Sequence, residues 1–194
     1  MKANKECLEL LFKSARTRNS WENKVLEDEI LREIWDLARM GPTSANCSPA
    51  RIVFVKSLKA KERLRSALFE GNVNKVMMAP TTAIIGYDVE FFKLLPKLFP
   101  HDDAKSWFVG NEKLINSTAF RNGTLQGAYF ILAARALGLD CGPISGFDNN
   151  AVDKIFFSKS SVKSNFICSI GYGTDENLFP RSPRLSFSEA CCIV

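Results

Sequence analysis

The sequence predicts an α+β fold, a mixed β-sheet flanked by helices, within a single domain spanning residues 1–194. Three observations carry that expectation. Short runs rich in β-branched and aromatic residues recur at 51–57, 81–88 and 164–173, separated by segments whose apolar residues fall at helical spacing. Strands alternating with amphipathic helices bury both kinds of apolar face when helices cover a sheet. A chain of 194 residues can bury roughly 70% of its unfolded surface in one core. No internal repeat or low-complexity stretch marks a second unit or a linker.

Taken in order, Leu8, Leu11, Phe12 and Ala15 make one apolar stripe, and Ile30, Leu31, Ile34, Leu37 and Ala38 make a second. Two amphipathic helices are therefore expected on either side of the loop ARTRNSW (15–21). Gly41 and Pro42 stop the second helix, and RIVFVKS (51–57) reads as the first strand. Ser57 is placed to cap a Lys- and Arg-rich helix from 59 to 69, and TTAIIGYD (81–88) reads as the second strand. Residues 89–111 hold two prolines and many large aromatics without clean periodicity, which predicts a short helix and a mobile excursion suited to a lid. The longest helical pattern runs from 112 to 139 and ends at Gly138, with Gly127 and Ala128 small enough for close packing. Residues 141–147 read as a turn-rich link, Asp148 as the cap of a helix reaching 157, and SNFICSIGYG (164–173) as the third strand. Ser186 and Glu189 form a capping-box pattern that starts a short helix near the C-terminus.

Composition narrows the function. A net charge of +5, with Lys and Arg interspersed among Asp and Glu, argues against nucleic acid as the main partner and suits a small anionic ligand. Six cysteines without a CxxC pair, and one histidine, offer no metal-ligand set, so no metal is expected. The N-terminus alternates charge with apolar residues and lacks the uninterrupted apolar core of a signal or membrane anchor. Reduced thiols and no membrane attachment give the expectation of a cytoplasmic protein. Cys191-Cys192-Ile193-Val194 spells a prenylation-like box, but the capping pattern just before it predicts a helix in place of a free, extended tail.

The chemistry-bearing residues fall in separated groups. GPTSANCSPAR (41–51) packs hydroxyl and amide groups between a helix and a strand, with Thr43, Ser44 and Asn46 as donors on a stiff segment. Arg16 and Arg18 near one end, and Arg181 and Arg184 near the other, supply guanidinium forks suited to a phosphate. Asn72 and Lys75, one helical turn apart, share a face. Gly171 and Gly173 lack the third glycine and following helix of a dinucleotide-binding loop. His101, between Pro100 and Asp102, reads as an exposed loop residue, and Cys47 has no neighbouring base to activate it. Phe91, Phe92, Phe99, Trp107 and Phe108 either roof a substrate cleft or fill core space.

The pattern GPTSANxxP, with the blocks ARTRNSW (15–21), GNVNKVMMAP (71–80), FRNGTLQGAYFILAARALGLDCGPISGFD (120–148), SNFICSIGYG (164–173) and LFPRSPRLSFSEAC (178–191), resembles the nitroreductase superfamily of FMN enzymes. The blocks are similar to the branch that includes malonic semialdehyde reductases. This resemblance implies a domain-entwined homodimer with FMN in the subunit interface and NADPH or NADH as reductant. It places Arg16, Thr17, Arg18, Asn19, Arg181 and Arg184 at the FMN phosphate, and Pro42, Thr43, Ser44 and Asn46 in the flavin-contacting loop. It places Asn72 and Lys75 at the pyrimidine edge of the flavin, and Pro143, Ile144, Ser145 and Gly146 along its reacting side. Gly146 would let the backbone come close to the ring. No catalytic side chain is implied, because the flavin carries the chemistry. The acceptor is expected to be a small aldehyde acid, with a broad nitro or quinone reductase and a non-catalytic flavin protein as alternatives. A carboxylated substrate would call for a spare cation, and Arg121 is the candidate, with Trp107 and Phe108 as further substrate contacts. The sequence departs from the family where Ala15 and Asn19 stand at usually charged places, and where Ser145 replaces a frequent Glu.

Overall fold

Four strands form the central sheet in the order β1-β2-β4-β3, and the computed structural model describes residues 2–194. The strands are β1 (Ala50–Val55), β2 (Thr81–Asp88), β3 (Asp140–Ile144) and β4 (Val162–Gly171). All neighbours pair antiparallel, with Val53 opposite Ile84, Ile84 opposite Ile167, and Pro143 opposite Cys168. The mixed character expected of the sheet is confined to one parallel bridge, where Thr17 pairs with Cys141 along the outer edge of β3.

The helices are α1 (Lys5–Leu8), α2 (Asp28–Ala38), α3 (Leu58–Arg65), α4 (Glu70–Met78), α5 (Leu95–Leu98), α6 (Glu112–Ala136), α7 (Asn149–Phe156) and α8 (Phe187–Ala190). The first continues as a wider π-type turn over Glu9–Lys13. Ser57 caps α3 by accepting from Ala60 N, Asp148 caps α7 by accepting from Ala151 N, and Ser186 with Glu189 closes the capping box of α8.

Strand alternation sends side chains to two cores. Ala83, Ile85, Cys168 and Ile170 pack on one face against Leu31, Ile34 and Ala38 of α2 and Phe130, Ala133 and Ala134 of α6. Ile84 and Ile167 pack on the other face against Leu64, Val76 and Val152 from α3, α4 and α7. α6 lies close to the sheet because Gly127 leaves room for the Phe166 ring and Ile85, whereas Ala128, expected to share that role, is exposed.

Three segments differ from the sequence reading. The Lys- and Arg-rich helix expected over 59–69 stops at Arg65, and a separate helix, α4, starts at Glu70. Residues 140–144 are strand and not a turn-rich link, since Gly142 and Pro143 lie in β3. β3 is an edge strand, where a proline's missing N–H removes no ladder bond, and a side chain at Gly142 would collide with the Arg18 carbonyl. Residues 89–111, expected as a mobile excursion, hold a 3-10 turn (Phe91–Leu94) and α5, and build a third cluster from Phe91, Leu95, Ala104 and Phe108 with Cys47 and Ala119. The aromatics disguise its order by lacking a single period.

Candidate functional site

Loop 15–21 runs along β3 because Arg18 N donates to Cys141 O at 3.1 Å. The Arg18 guanidinium lies between Asp140, with Nε 3.3 Å from Oδ1, and Asp175, and it also donates to Thr174 O. Partial burial opposes its charge, yet hydrogen bonding and attraction from Asp175 and Asp140 outweigh that and raise its pKa. The Arg18 guanidinium therefore holds the loop to the sheet. Arg16 donates to Phe179 O, while Arg181 Nη2 donates back to Lys13 O at 2.6 Å and Ala15 O at 2.9 Å. Asn19 Nδ2 donates to Asn177 O at 3.1 Å, and Arg184 donates to the carbonyls of Ser182 and Pro183 in its own turn. The two chain ends are thus laced together around a cavity of about 470 Å³ lined by Arg16, Thr17, Asn19, Lys75, Arg135, Arg181 and Arg184.

A second cavity, of about 220 Å³, is lined by Arg18, Asn72 and Gly142 to Gly146, and it shares Thr17, Asn19 and Lys75 with the first. The shared residues make one continuous groove. No Asp or Glu lines either part, so the cationic charge of one end is uncompensated.

Helix α4 supplies the far wall. Asn72 Nδ2 donates to Gly146 O at 2.9 Å, and a side chain at Gly146 would overlap that same nitrogen. A side chain there would therefore displace the Asn72 amide from its bond to the Gly146 carbonyl. Trp21 Nε1 donates to Lys75 O at 3.2 Å, and the buried Lys61 donates to the C-terminal carbonyls at Met77 and Ala79. These bonds fix the helix, and the Lys75 ammonium itself makes no ion pair among the described residues.

Pro42, Thr43 and Ser44 line a separate hollow of about 430 Å³ with Thr118, Arg121, Asn122 and Leu125, and share no residue with the groove. Their loop holds non-glycine residues in left-handed conformation at Ala45 (φ 47°), Asn46 (φ 49°) and Ser48 (φ 39°). Such backbone costs roughly 1–2 kcal/mol per residue and persists only where the surroundings fix it. Here two amides of α6 do so. Ser44 N donates to Asn122 Oδ1 and Ala50 N to Gln126 Oε1, each at 2.9 Å, and both amide side chains are 2% exposed. Asn46 Nδ2 donates to Leu98 O at 2.8 Å, which turns that side chain toward α5 and away from the hollow.

Cys47, inside this loop, is fully buried, and burial raises its thiol to about 11, so it is protonated at neutral pH. His101 is exposed and stacks edge-on against Phe99 at 5.4 Å, outside groove and hollow. Phe108 is packed against Phe91 at 4.9 Å, and Trp107 is 48% exposed beside Phe99. Neither lines groove or hollow. The sequence reading missed Asn122, Gln126, Arg135, Trp21 and Lys61. The first two carried a faint signal, polar side chains four apart on a helix face that also holds Gly123 and Gly127.

The profile of the Nitroreductase family matches residues 15–172. The chain belongs to the nitroreductase family. A Polynucleobacter asymbioticus protein named as an NADH dehydrogenase/NAD(P)H nitroreductase is 59% identical over 191 residues, covering 98% of this chain and 97% of its own. A Ralstonia pickettii protein of the same description, HadB, is 57% identical over 189 residues, covering 96% of both chains. Among solved structures, an Exiguobacterium sibiricum protein named as a nitroreductase, determined in complex with FMN, superposes with a TM-score of 0.87 at 20% identity, covering 100% of this chain and 99% of the other. That likeness establishes the nitroreductase fold. No helix among the described residues is long and apolar enough to cross a membrane.

Proposed function

We propose that this nitroreductase-family chain is an FMN-dependent NAD(P)H oxidoreductase, acting as a homodimer, whose acceptor is malonic semialdehyde, reduced to 3-hydroxypropionate. The observation that carries the reading is the continuous groove, cationic and free of carboxylates at one end, and walled by Lys75, Asn72 and the β3 backbone at the other. Its donor set fits FMN: guanidinium forks suit a terminal phosphate, and an ammonium with an amide suits a heterocycle that gains negative charge on reduction. FMN, when bound, supplies the hydride chemistry between the reduced nicotinamide and the acceptor.

The chain's own residues bind, orient and polarise. Arg16 and Arg181 tie the two chain ends together and line the cavity where the phosphate would lie. Lys75, held by the Trp21 and Lys61 bonds to its helix, presents positive charge where the ring's pyrimidine edge would lie, which favours the reduced, anionic cofactor.

Two features support a dimer. The loop holding Pro42, Thr43 and Ser44 opens on a hollow separate from the groove, so a second copy is the way for that loop to meet a cofactor. One face of α6 also leaves Leu114 at 38%, Leu125 at 46% and Tyr129 at 39% exposure, an apolar strip at helical spacing. Arg121, in the hollow with the hydroxyls of Thr43, Ser44 and Thr118, makes no ion pair among the described residues and supports a carboxylate-bearing acceptor.

The test is direct. Protein produced with ample riboflavin should be yellow, release FMN on denaturation, run as a dimer, and bleach anaerobically with NADPH or NADH. Absence of flavin, or a flavin that neither nucleotide bleaches, ends the oxidoreductase reading. Turnover of malonic semialdehyde, nitrofurazone and menadione then ranks the acceptors, and equal kcat/KM for all three replaces the aldehyde with a broad nitro or quinone reductase.

A further inference from the structure

We propose that Arg135 is a phosphate-binding residue of the groove, and the one arginine there presented from a packed helix. The inference rests on the FMN reading and adds a residue that the separated arginine groups at the chain ends do not contain. Arg135 lies in the last turn of α6, and the residues just before it, Ala133 and Ala134, are buried in the core against the sheet. Residues 181–184, by contrast, are exposed along their whole length. A guanidinium presented from a packed helix loses less conformational freedom when it meets a ligand.

Its hydrogen-bonding capacity is also the least used. A guanidinium carries five N–H donors. Among the described residues Arg135 makes no ion pair, and its single hydrogen bond, Nη1 to Leu11 O, is 3.5 Å long, at the outer limit for such a bond. The other groove arginines are better satisfied within the chain: Arg18 by Asp140 and Asp175, Arg181 by two carbonyls, Arg16 by Phe179 O, and Arg184 by its own turn. Arg135 is half-buried in a cavity that no carboxylate lines. A partly desolvated cation with free donors and no counter-charge calls for an anion from outside. The rival reading is a cation that merely complements the negative end of the α6 dipole, which needs no ligand.

The experiment separates the two by removing the phosphate from the ligand. FMN and riboflavin are titrated, by quenching of flavin fluorescence, into the full-length protein stripped of flavin, for wild type, Arg135→Gln and Arg135→Lys. If Arg135 holds the phosphate, the Gln variant weakens FMN by roughly 10- to 100-fold, the range for a lost charge-assisted hydrogen bond, and changes riboflavin by less than about threefold. Arg135→Lys keeps a cation at the helix end, protecting the fold, and should recover part of the FMN affinity. Equal weakening of both flavins, or no change in either, overturns the proposal while the FMN reading stands. A wild-type protein that binds neither flavin removes both.

Discussion

The groove and the 42–50 loop both present polar groups, yet the fold holds them by opposite means. Around the groove, exposed chain ends are laced by arginine to carbonyl bonds, so the groups that shape the cavity are also the groups a phosphate would recruit. The loop is fixed from beneath by Asn122 and Gln126, side chains almost fully buried in α6, and its backbone is locked in left-handed turns before any ligand arrives. One region is completed by what binds; the other is preset. Local stability differs across a structure for such reasons, since surface-exposed bonds open readily and buried ones open only with the core.

The largest expected effect lies where the two kinds of region would meet the ring. Lys75→Met removes the one ammonium on the α4 side of the groove without disturbing the Trp21 bond, which uses the Lys75 carbonyl. Losing a charge that stabilises the reduced ring costs about 10²- to 10³-fold in the rate of flavin reduction, and stopped-flow reduction by NADPH reads it. An unchanged rate would detach Lys75 from the chemistry. Next come the loop clamps. Gln126→Leu leaves the buried Ala50 N–H without an acceptor and should cost about 1–3 kcal/mol, or roughly 2–12 °C in Tm for a chain of this size. Asn122→Leu should follow the same pattern through Ser44 N. A Tm loss no larger than that of Arg181→Ala would erase the contrast between preset and completed regions.

The same contrast explains what could be read from the sequence. α2 and α6 announce themselves by periodicity, and β2 by a run of β-branched residues, because burial on one or two faces writes a repeat into the chain. β3 does not, since Gly142 and Pro143 are signals of a turn and are tolerated only because the strand is at an edge and loop 15–21 presses on it. At the site, Arg16 and Arg181 are legible as phosphate-suited cations, Asn72 and Lys75 as a pair on one helix face, and Pro143–Gly146 only through the family resemblance, and the fold brings them to one groove. Arg18 looked equivalent to Arg16, but its partners Asp140 and Asp175 are remote in sequence and only folding pairs them. Asn122, Gln126 and Arg135 sit inside a long helix where polar residues usually face solvent. Their roles exist only once the loop and the chain ends are packed beside them.

A smaller effect would sharpen the view of the groove as ligand-completed. Arg181→Ala removes two exposed bonds to Lys13 O and Ala15 O, and without ligand its stability should change by no more than about 0.5–1 kcal/mol. With FMN present the deficit should widen, because a ligand that binds only the folded state adds stability in proportion to its affinity. Thermal melts with and without excess FMN measure the difference, and a deficit that does not grow with ligand would show that this arginine serves the chain ends alone.

The smallest effect concerns the preset region and depends on pH. The Cys47 thiol, buried beneath the left-handed turns, has its pKa raised to about 11, chiefly by desolvation, against an offsetting hydrogen bond to Thr43. In the unfolded chain a thiol ionises near about 8.5, so the unfolded state releases its proton first as pH rises. The stability this thiol contributes is therefore complete below that value and is lost as pH climbs toward about 11. Cys47→Ala should run parallel to wild type below about pH 8 and lose less stability than wild type above it. Denaturant midpoints between pH 7 and 10.5 measure the divergence. Curves that stay parallel throughout would mean that water reaches the thiol, and that the loop is less firmly closed over its own core than the Asn122 and Gln126 bonds require.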